Sequence, residues 1–382
     1  MTKNRQKVIV AVSGGVDSAV AAALLKKAGY EVAGVFMRFW REPGIQKWNR
    51  CCSPDAERRA KRIAALLAIP FYVINLEREF KKRIVDYFLE GHKKGLTPNP
   101  CVVCNKEIKF GLFLEKALRL NADYIATGHY VRLQREIRNS KSEAQRLFRA
   151  KDKAKDQSYF LWQLNQRQLS KILFPIGDFT KNEVKNLAKR YKLPVLDIPQ
   201  SQEICFIQTT VNDFLKRNLK QKPGFIVDNK GKIIGQHQGL AFYTIGQRKG
   251  IGLPGGPYFV LDKDLKRNFL IATKNEKDLY KKELIAEKVN WLRAPSAQCD
   301  KRSVLDRAQK VCALVSGRKL KLPLKIKAKI RYRQKLASAA IKPFNKGVIK
   351  VIFDNFQRAI TPGQSVAFYQ RGELLGGGII KR

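Results

Sequence analysis

The chain has 382 residues, 44% of them hydrophobic, and its 76 Lys and Arg against 32 Asp and Glu give a formal net charge of +44. That length implies two or three domains with cores of their own. No apolar run is long enough to cross a bilayer, so no membrane partner is expected. The basic excess either calls for a polyanion, nucleic acid first, or reflects a drift toward lysine, since the lysines are spread along the chain.

Met1–Lys7 leads straight into a strand, which leaves no room for a signal peptide. The seven cysteines are odd in number and thinly spread, which indicates a reducing, cytoplasmic setting and reactive or metal-binding thiols rather than a disulfide scaffold. Val8–Val12 is a buried strand that enters Ser13-Gly14-Gly15-Val16-Asp17-Ser18. The alanine- and leucine-rich stretch Ala19–Ala28 continues as a helix, and Gly29 stops it. Glycines at the bend let the backbone approach a ligand. The hydroxyls of Ser13 and Ser18, with the free N–H groups of the helix start, make a pyrophosphate cradle. A carboxylate beside phosphates, Asp17, implies a cation between them, Mg2+ being the usual one.

Glu31–Phe39 is a second strand, with Met37 near its carboxyl end as a wall of an adenine pocket or a plain core residue. An irregular loop, Trp40–Asn49, leads to Cys51-Cys52, and a helix starts at Ser53-Pro54, with Ser53 as N-cap. Phe71–Asn75 is a third strand and Phe80–Gly91 has helical spacing. The β-α-β-α-β order predicts a doubly wound, mostly parallel sheet. Next, Gly95–Gly111 reads GLTPNPCVVCNKEIKFG. Its two prolines impose an ordered turn. A helix beginning there puts Cys104 near its N-terminus, with Lys106 and Lys109 close by, and both features favour thiolate. Spacing alone leaves three readings of Cys101 and Cys104: half a zinc site completed by Cys51 and Cys52, a redox pair, or buried thiols.

Ala122–Tyr130 is a strand running into Gly128-His129, and Arg132–Arg149 is a hairpin or excursion. Lys155-Asp156-Gln157-Ser158 precedes an aromatic run, and Phe174–Gly177 is a turn. Lys181–Tyr191 is an amphipathic helix, and Asp197–Gln202 is a loop. Cys205, flanked by apolar residues, reads as a core cysteine. Helix–strand alternation stops near Lys222, which divides the chain into 1–221, 222–285 and 286–382. The central part carries a turn at Asp228–Gly231 and a glycine-rich loop at Gly246–Gly256. The last part, with short β runs at Gly347–Phe353, Gln357–Ile360 and Ser365–Tyr369, suits a small β-barrel. Within it, Lys325–Arg333 alternates charge with apolar residues. It presents either a cationic face, with Arg331 and Tyr332 for phosphate contact and base stacking, or an edge strand made soluble by lysine. Arg302–Arg318 looks like an insertion.

SGGVDS resembles the phosphate loop of the ATP pyrophosphatases. Together with TPNPCVVCNKEIKFG, ATGHY, KDQSYFL, EICFI, GQHQG, TIGQRKG, TPGQS and GGGII, in that order over nearly the whole chain, it resembles the bacterial tRNA-specific 2-thiouridylases. The resemblance implies ATP at Ala11, Val12, Ser13, Gly14, Gly15, Val16, Asp17 and Ser18, bordered by Met37 and Gly128, with Mg2+ bridging the phosphates. It implies a tRNA substrate, modified at wobble uridine 34 of the glutamate, lysine and glutamine tRNAs. It also implies sulfur carried as a persulfide on Cys205, loaded by a sulfur-carrier protein or cysteine desulfurase and freed by Cys104. Asn99, Pro100 and Cys101 occupy the family's base-contacting segment, where some members have Asp in place of Cys101. His129, Lys155, Asp156, Gln157, Arg331, Tyr332 and Gln364 match positions that contact the tRNA.

Overall fold

The computed structural model describes residues 5–45, 53–139, 142–195, 204–292, 314–315, 318–319, 324–345 and 347–381. Cys51 and Cys52, the loop at 197–202 and most of the 302–318 insertion lie outside them. The chain forms two compact units. One is Met1–Val85 with Pro100–Gln208 and Arg371–Leu374, and the other is Asp86–Asn99 with Thr209–Gln370 and Leu375–Arg382.

The first unit is the expected α/β layer structure. Strand β1 (Lys7–Ala11) buries Val8 and Val10 completely, as a central strand covered on both faces must. Helix α1 (Val16–Lys27) follows, with Asp17 in its first turn and Lys26 and Lys27 in its last, both matched to the helix dipole. Its alanines, Ala19 and Ala21–Ala23, are buried, so the helix can lie close against the sheet. Then come β2 (Glu31–Arg38), α2 (Pro54–Leu66) and β3 (Phe71–Asn75). Ser53 caps α2 as expected, its hydroxyl accepting from the Ala56 N–H at 3.0 Å.

Helix α3 (Glu77–Phe80) passes through a π-helical stretch, Lys81–Val85, into α4 (Asp86–Lys93), which belongs to the second unit. Helix α5 (Pro100–Cys104) widens into a second π-helical stretch, Asn105–Leu112, before α6 (Phe113–Arg119). Strand β4 covers only Tyr124–Ala126, and the backbone then leaves the sheet at Thr127. The excursion is a hairpin, β5 (Val131–Asn139) with β6 (Ser142–Arg149). Helix α7 (Gln166–Leu169), β7 (Ile172–Leu173) and α8 (Lys181–Arg190) complete the unit. The sheet order is β3-β2-β1-β4-β7, every pairing parallel. The chain winds outward from β1 through β2 to β3 and then returns to the other side of β1. The switch point therefore lies between β1 and β4, and ligands bind outside the carboxyl ends of strands at such a point. Ser13 and Thr127 stand there.

The second unit contains α9 (Val211–Asn218) and a small sheet of β8 (Gly224–Val227), β9 (Ile233–His237), β10 (Phe259–Asp264) and β11 (Phe269–Thr273), in the order β10-β11-β8-β9. The Asp228 carboxylate accepts the N–H groups of Lys230 and Lys232, both at 2.9 Å, which fixes the expected turn. Beyond it run β12 (Tyr280–Trp291), the short pair β13 (Leu314–Val315) and β14 (Arg318–Lys319), then β15 (Leu324–Lys329), β16 (Ala337–Asn345), β17 (Val348–Arg358), β18 (Ser365–Gln370) and β19 (Glu373–Ile380). Strands β12-β17-β16-β15-β18-β19 neighbour one another in that order. Pairing of β12 with β19, Ala286 opposite Ile380, closes the expected barrel. Ile326, Ala328, Ile341, Val351 and Phe368 fill it.

Two expectations change here. Strand β15 is paired on both sides, with β16 and β18, so it is no edge. It also ends at Lys329, and Arg331–Arg333 form a turn instead of continuing the strand. The Gln334 side chain accepts the Ile330 N–H at 3.0 Å and reverses the backbone there.

Candidate nucleotide and thiol site

The loop after β1 is organised by its own side chains. The Ser18 hydroxyl accepts the Ser13 N–H at 3.1 Å, donates to the Gly15 carbonyl at 3.0 Å and lies 3.2 Å from the Ser13 hydroxyl. Gly14 has a φ of +75°, and a Cβ there would sit 2.3 Å from the Ala56 carbonyl oxygen, so both its backbone and its packing demand glycine. Gly15 differs. Its φ is −99°, and a Cβ would meet only the Ser13 hydroxyl, at 3.6 Å. What a Cβ would fill is the open cradle itself. Gly15 is the N-cap of α1 and makes no side-chain cap, which leaves the first N–H groups of the helix to an anion. Across the switch point, a Cβ on Gly128 would lie 2.7 Å from the Ser18 nitrogen. Gly128 thus lets the segment after β4 rest on the first turn of α1. Val12 and Val16 are buried beside the cradle, while Ala11 and Met37 are half-buried, Met37 opposite Ile74 near the end of β2. These features fit a triphosphate.

Asp17 is held more firmly than the sequence suggests. Its Oδ1 accepts from the Lys181 ammonium at 2.6 Å and from the Tyr130 hydroxyl at 2.7 Å. The Lys181 side chain is 9% exposed. Burial lowers the Lys181 pKa and the Asp17 charge opposes that shift. Among the described residues no three His, Cys, Asp or Glu side chains stand together as metal ligands. Asp17, in the first turn of α1, is the carboxylate of the cradle. Lys181 and Tyr130 were missed by sequence reasoning. A signal existed for Lys181: it occupies the first turn of α8, after the Thr180–Glu183 capping box, where a cation opposes the helix dipole.

The thiols gather in the same unit. Cys101 and Cys104 sit one helical turn apart on α5, Cys104 buried and Cys101 half-buried. Cys205 is half-buried in a turn whose next residue, Phe206, is buried edge-on against Phe80 with ring centroids 5.9 Å apart. Expected from sequence as a core cysteine, it is instead held at the surface of the core by its neighbour. Cys205 contributes, behind burial, to the raised pKa of both Cys101 and Cys104.

The expectation of a resting thiolate at Cys104 does not hold. Burial pushes the Cys101 pKa up to about 12 and raises Cys104 well above the ordinary thiol range, and Lys109 offsets this only in part. Cys104 is the fifth residue of its helix and 6% exposed, so desolvation outweighs the helix start. The same Lys109 acts on His129, whose pKa lies well below its ordinary value, chiefly through burial. His129 is therefore neutral at pH 7. Its Nδ1 lies 2.8 Å from the Thr127 hydroxyl, and Phe110 and Phe174 pack around the ring. Lys109 thus favours the thiolate forms of Cys101 and Cys104 and the neutral form of His129.

The other expected contact residues divide. Pro100 is buried at the start of α5. Gln157 accepts the Tyr130 N–H at 2.9 Å and gives its own N–H to the Tyr130 carbonyl at 3.0 Å, which holds the residue after His129 in place. Asp156 is an internal strut. Its carboxylate accepts from Arg149 at 3.0 Å and from the backbone N–H groups of Ala150 and Ser158. Lys155 is half-buried in the turn begun by Asp152. In the second unit Asn99 is half-buried, and the Gln364 amide donates to the Thr97 carbonyl at 2.8 Å, securing the turn that carries Asn99. The Arg331 guanidinium donates to the Arg358 carbonyl at 3.0 Å and to that of Ala359, with Tyr332 half-buried beside it.

A parallel sheet with a phosphate-type loop at its switch point, followed by two β units, defines a nucleotide-binding protein of the HUP type with appended barrels. Residues 6–209 match the family model described as tRNA methyl transferase HUP domain. Residues 212–274 match its PRC-barrel domain, and 281–380 an aminomethyltransferase beta-barrel domain. The tRNA-specific 2-thiouridylase MnmA of Clostridioides difficile is 41% identical over 99% of this chain and 98% of its own length. Those of Carboxydothermus hydrogenoformans, over 99% and 98%, and Halothermothrix orenii, over 98% and 99%, are each 43% identical. The chain belongs to the tRNA-specific 2-thiouridylase family.

Proposed function

We propose that this chain is a tRNA-uridine 2-sulfurtransferase that replaces the C2 oxygen of wobble uridine 34 with sulfur, at the expense of ATP, in the lysine, glutamate and glutamine tRNAs. ATP, a co-substrate, supplies the activation: the C2 oxygen attacks the α-phosphate, pyrophosphate departs, and the oxygen later leaves C2 as part of AMP. The loop Ala11–Ser18 holds the phosphates, with Met37 and Gly128 at its borders. Asp17, steadied by Lys181 and Tyr130, is the residue that would meet a Mg2+ accompanying them. Neutral His129, next in the chain to Gly128, can donate or accept one hydrogen bond without adding charge.

Sulfur arrives as a persulfide on Cys205 from a sulfur-carrier protein or cysteine desulfurase. The Cys104 thiolate attacks Cys205 Sγ. The bond to the terminal sulfur breaks and a Cys104–Cys205 disulfide forms. The released hydrosulfide adds to C2, and AMP leaves. Burial raises the Cys104 pKa, and Lys109 is the cation that favours its thiolate. Asn99, Pro100 and Cys101 line the approach of the base. A uridine inside a folded anticodon has to be turned out to reach a buried site.

One observation carries this reading: the phosphate-type loop between β1 and α1 and the cysteines Cys101, Cys104 and Cys205 belong to one compact unit. The test is mass analysis of unmodified tRNA after incubation with the protein, ATP, Mg2+ and a persulfide source. The expected product carries one sulfur in place of one oxygen at the wobble uridine, and one pyrophosphate is released per sulfur. Pyrophosphate release that ignores tRNA would instead point to a small-molecule synthetase.

A further inference from the structure

Resting on that reading, we propose that Cys101 is the resolving thiol of the sulfur-transfer cycle. It attacks the Cys104–Cys205 disulfide and moves it into the helix as a Cys101–Cys104 disulfide. Cys205 is thereby free to be reloaded before any reductant arrives.

The geometry makes the exchange short. Cys101 and Cys104 are spaced i, i+3 on α5. On a helix such residues are neighbours, with Cβ atoms about 5–6 Å apart. Bridging them needs a Cβ separation of about 3.5–4.5 Å, a small local closure. That closure falls in the first turn of a helix whose regular hydrogen bonding gives way to π-helical turns directly after Cys104. Cys205 stands close enough to act electrostatically on both thiols. The Cys101–Cys104 exchange is therefore local, and Cys205 belongs to the same compact unit.

Exposure supplies the reason for a relay. Cys104 is 6% exposed, whereas Cys101 is half-buried. A disulfide between Cys104 and Cys205 presents only its half-buried Cys205 sulfur to an external thiol, so reduction by that route ties up the sulfur carrier itself as a mixed disulfide. A disulfide between Cys101 and Cys104 presents the half-buried Cys101 instead and leaves Cys205 free. The Cys101 thiolate attacks Cys104 Sγ, the Cys104–Cys205 bond breaks, and Cys205 leaves as thiolate, taking up the proton that Cys101 lost. No oxidant or reductant is consumed in this step. A dithiol reductant then delivers two electrons and two protons to Cys101–Cys104 and becomes a disulfide itself.

The experiment is a single turnover of the full chain with persulfide-loaded protein, tRNA, ATP and Mg2+ without reductant. It is quenched with N-ethylmaleimide and digested with trypsin under non-reducing conditions. Gly95–Lys106 carries both Cys101 and Cys104 in one tryptic peptide. The expected end point is that peptide two hydrogens light, with Cys205 alkylated. The Cys101→Ser and Cys101→Asp variants should stop at the Cys104–Cys205 cross-link. With limiting dithiol they should show a burst of about one equivalent and then a steady rate slowed about tenfold or more, because Cys205 then passes through a mixed disulfide with the reductant before it can be reloaded. A wild-type end point with Cys101 alkylated and Cys104 still linked to Cys205 overturns the relay. So does stoichiometric metal that protects all three thiols from alkylation. If no disulfide forms and Cys104→Ser and Cys205→Ser still thiolate tRNA, the sulfur-transfer reading itself fails, a result distinct from either.

Discussion

At the scale of single residues, burial decides the chemistry that is available. Cys101 and Cys104 have raised thiol pKa values because desolvation outweighs the attraction of Lys109. At pH 7.5 both should be protonated in the free protein, and iodoacetamide should modify them far more slowly than an unperturbed thiol. The rate should climb about tenfold per pH unit above pH 8, since only thiolate reacts; fast modification at neutral pH would contradict this. Asp17 and Lys181 give a second test. They are 164 residues apart in sequence, and Lys181 is nearly buried. Removing one partner of a buried pair leaves an uncompensated charge, at about 3–5 kcal/mol when burial is complete. Asp17 is 31% exposed at its side chain, so solvent screening reduces the effect. Lys181→Met should therefore destabilise the first unit by about 1–3 kcal/mol in denaturant titrations. It should also abolish tRNA-dependent pyrophosphate release. Unchanged release would remove Lys181 from the nucleotide site.

At the scale of elements, the strand–loop–helix unit at β1 and α1 was legible in the sequence because every interaction that shapes it is local. Val8–Val12, the two glycines and the alanine helix encode it within twenty-odd residues, and Ser18 reaches Ser13 only five positions away. Gly128→Ala tests how tightly β4 must approach that unit. A methyl group 2.7 Å from Ser18 N has no room, and overpacking costs about 1–3 kcal/mol. The expected result is a lower melting temperature together with lost ATP binding. A stable variant that binds ATP normally would show that the cradle tolerates a wider gap. What the sequence left open needed contacts between distant elements, such as the turn that half-exposes Cys205 through Phe206 against Phe80 and the Gln364–Thr97 bond across 267 residues. The thiolate expectation failed for a related reason: helix position is local, but burial of Cys104 is set by the whole unit. Helix α4 shows the same dependence in its pH behaviour. His92 is 2% exposed, its Nδ1 lies 3.0 Å from the Ala241 carbonyl oxygen, and burial lowers its pKa to about 4. The unfolded chain binds this proton more readily, so the histidine's contribution is complete above pH 6.5 and is lost as pH falls toward 4. The loss amounts to about 3 kcal/mol over that window. Unfolding midpoints should drop between pH 7 and 5, and His92→Gln should flatten the drop. An equally steep drop in the variant would assign the pH dependence elsewhere.

At the scale of the whole molecule, the question is whether a net charge of +44 is used. Composition alone allows a tRNA-binding surface or a lysine-rich background. The fold narrows the choice at one place. Strand β15 lies inside the barrel wall, yet Lys325 and Lys327 are exposed while Ile326 and Ala328 face the core. Lysine there does not protect an edge, because both neighbouring strands are already paired. A cationic outer face on an interior strand is what a phosphate backbone would meet. Binding to phosphates releases counterions, so the affinity for tRNA should fall by about 10³–10⁵ between about 50 and 200 mM salt for six to ten contacts. A flat response would assign the charge to composition. The sharper measurement compares pairs of equal charge. Lys325→Gln with Lys327→Gln should reduce the slope of log affinity against log salt by about one per contact removed. Lys61→Gln with Arg62→Gln, on exposed positions of α2, should lower overall charge by the same amount and leave the slope unchanged. If both pairs shift it equally, the protein attracts tRNA through its total charge and the barrel face has no privileged role.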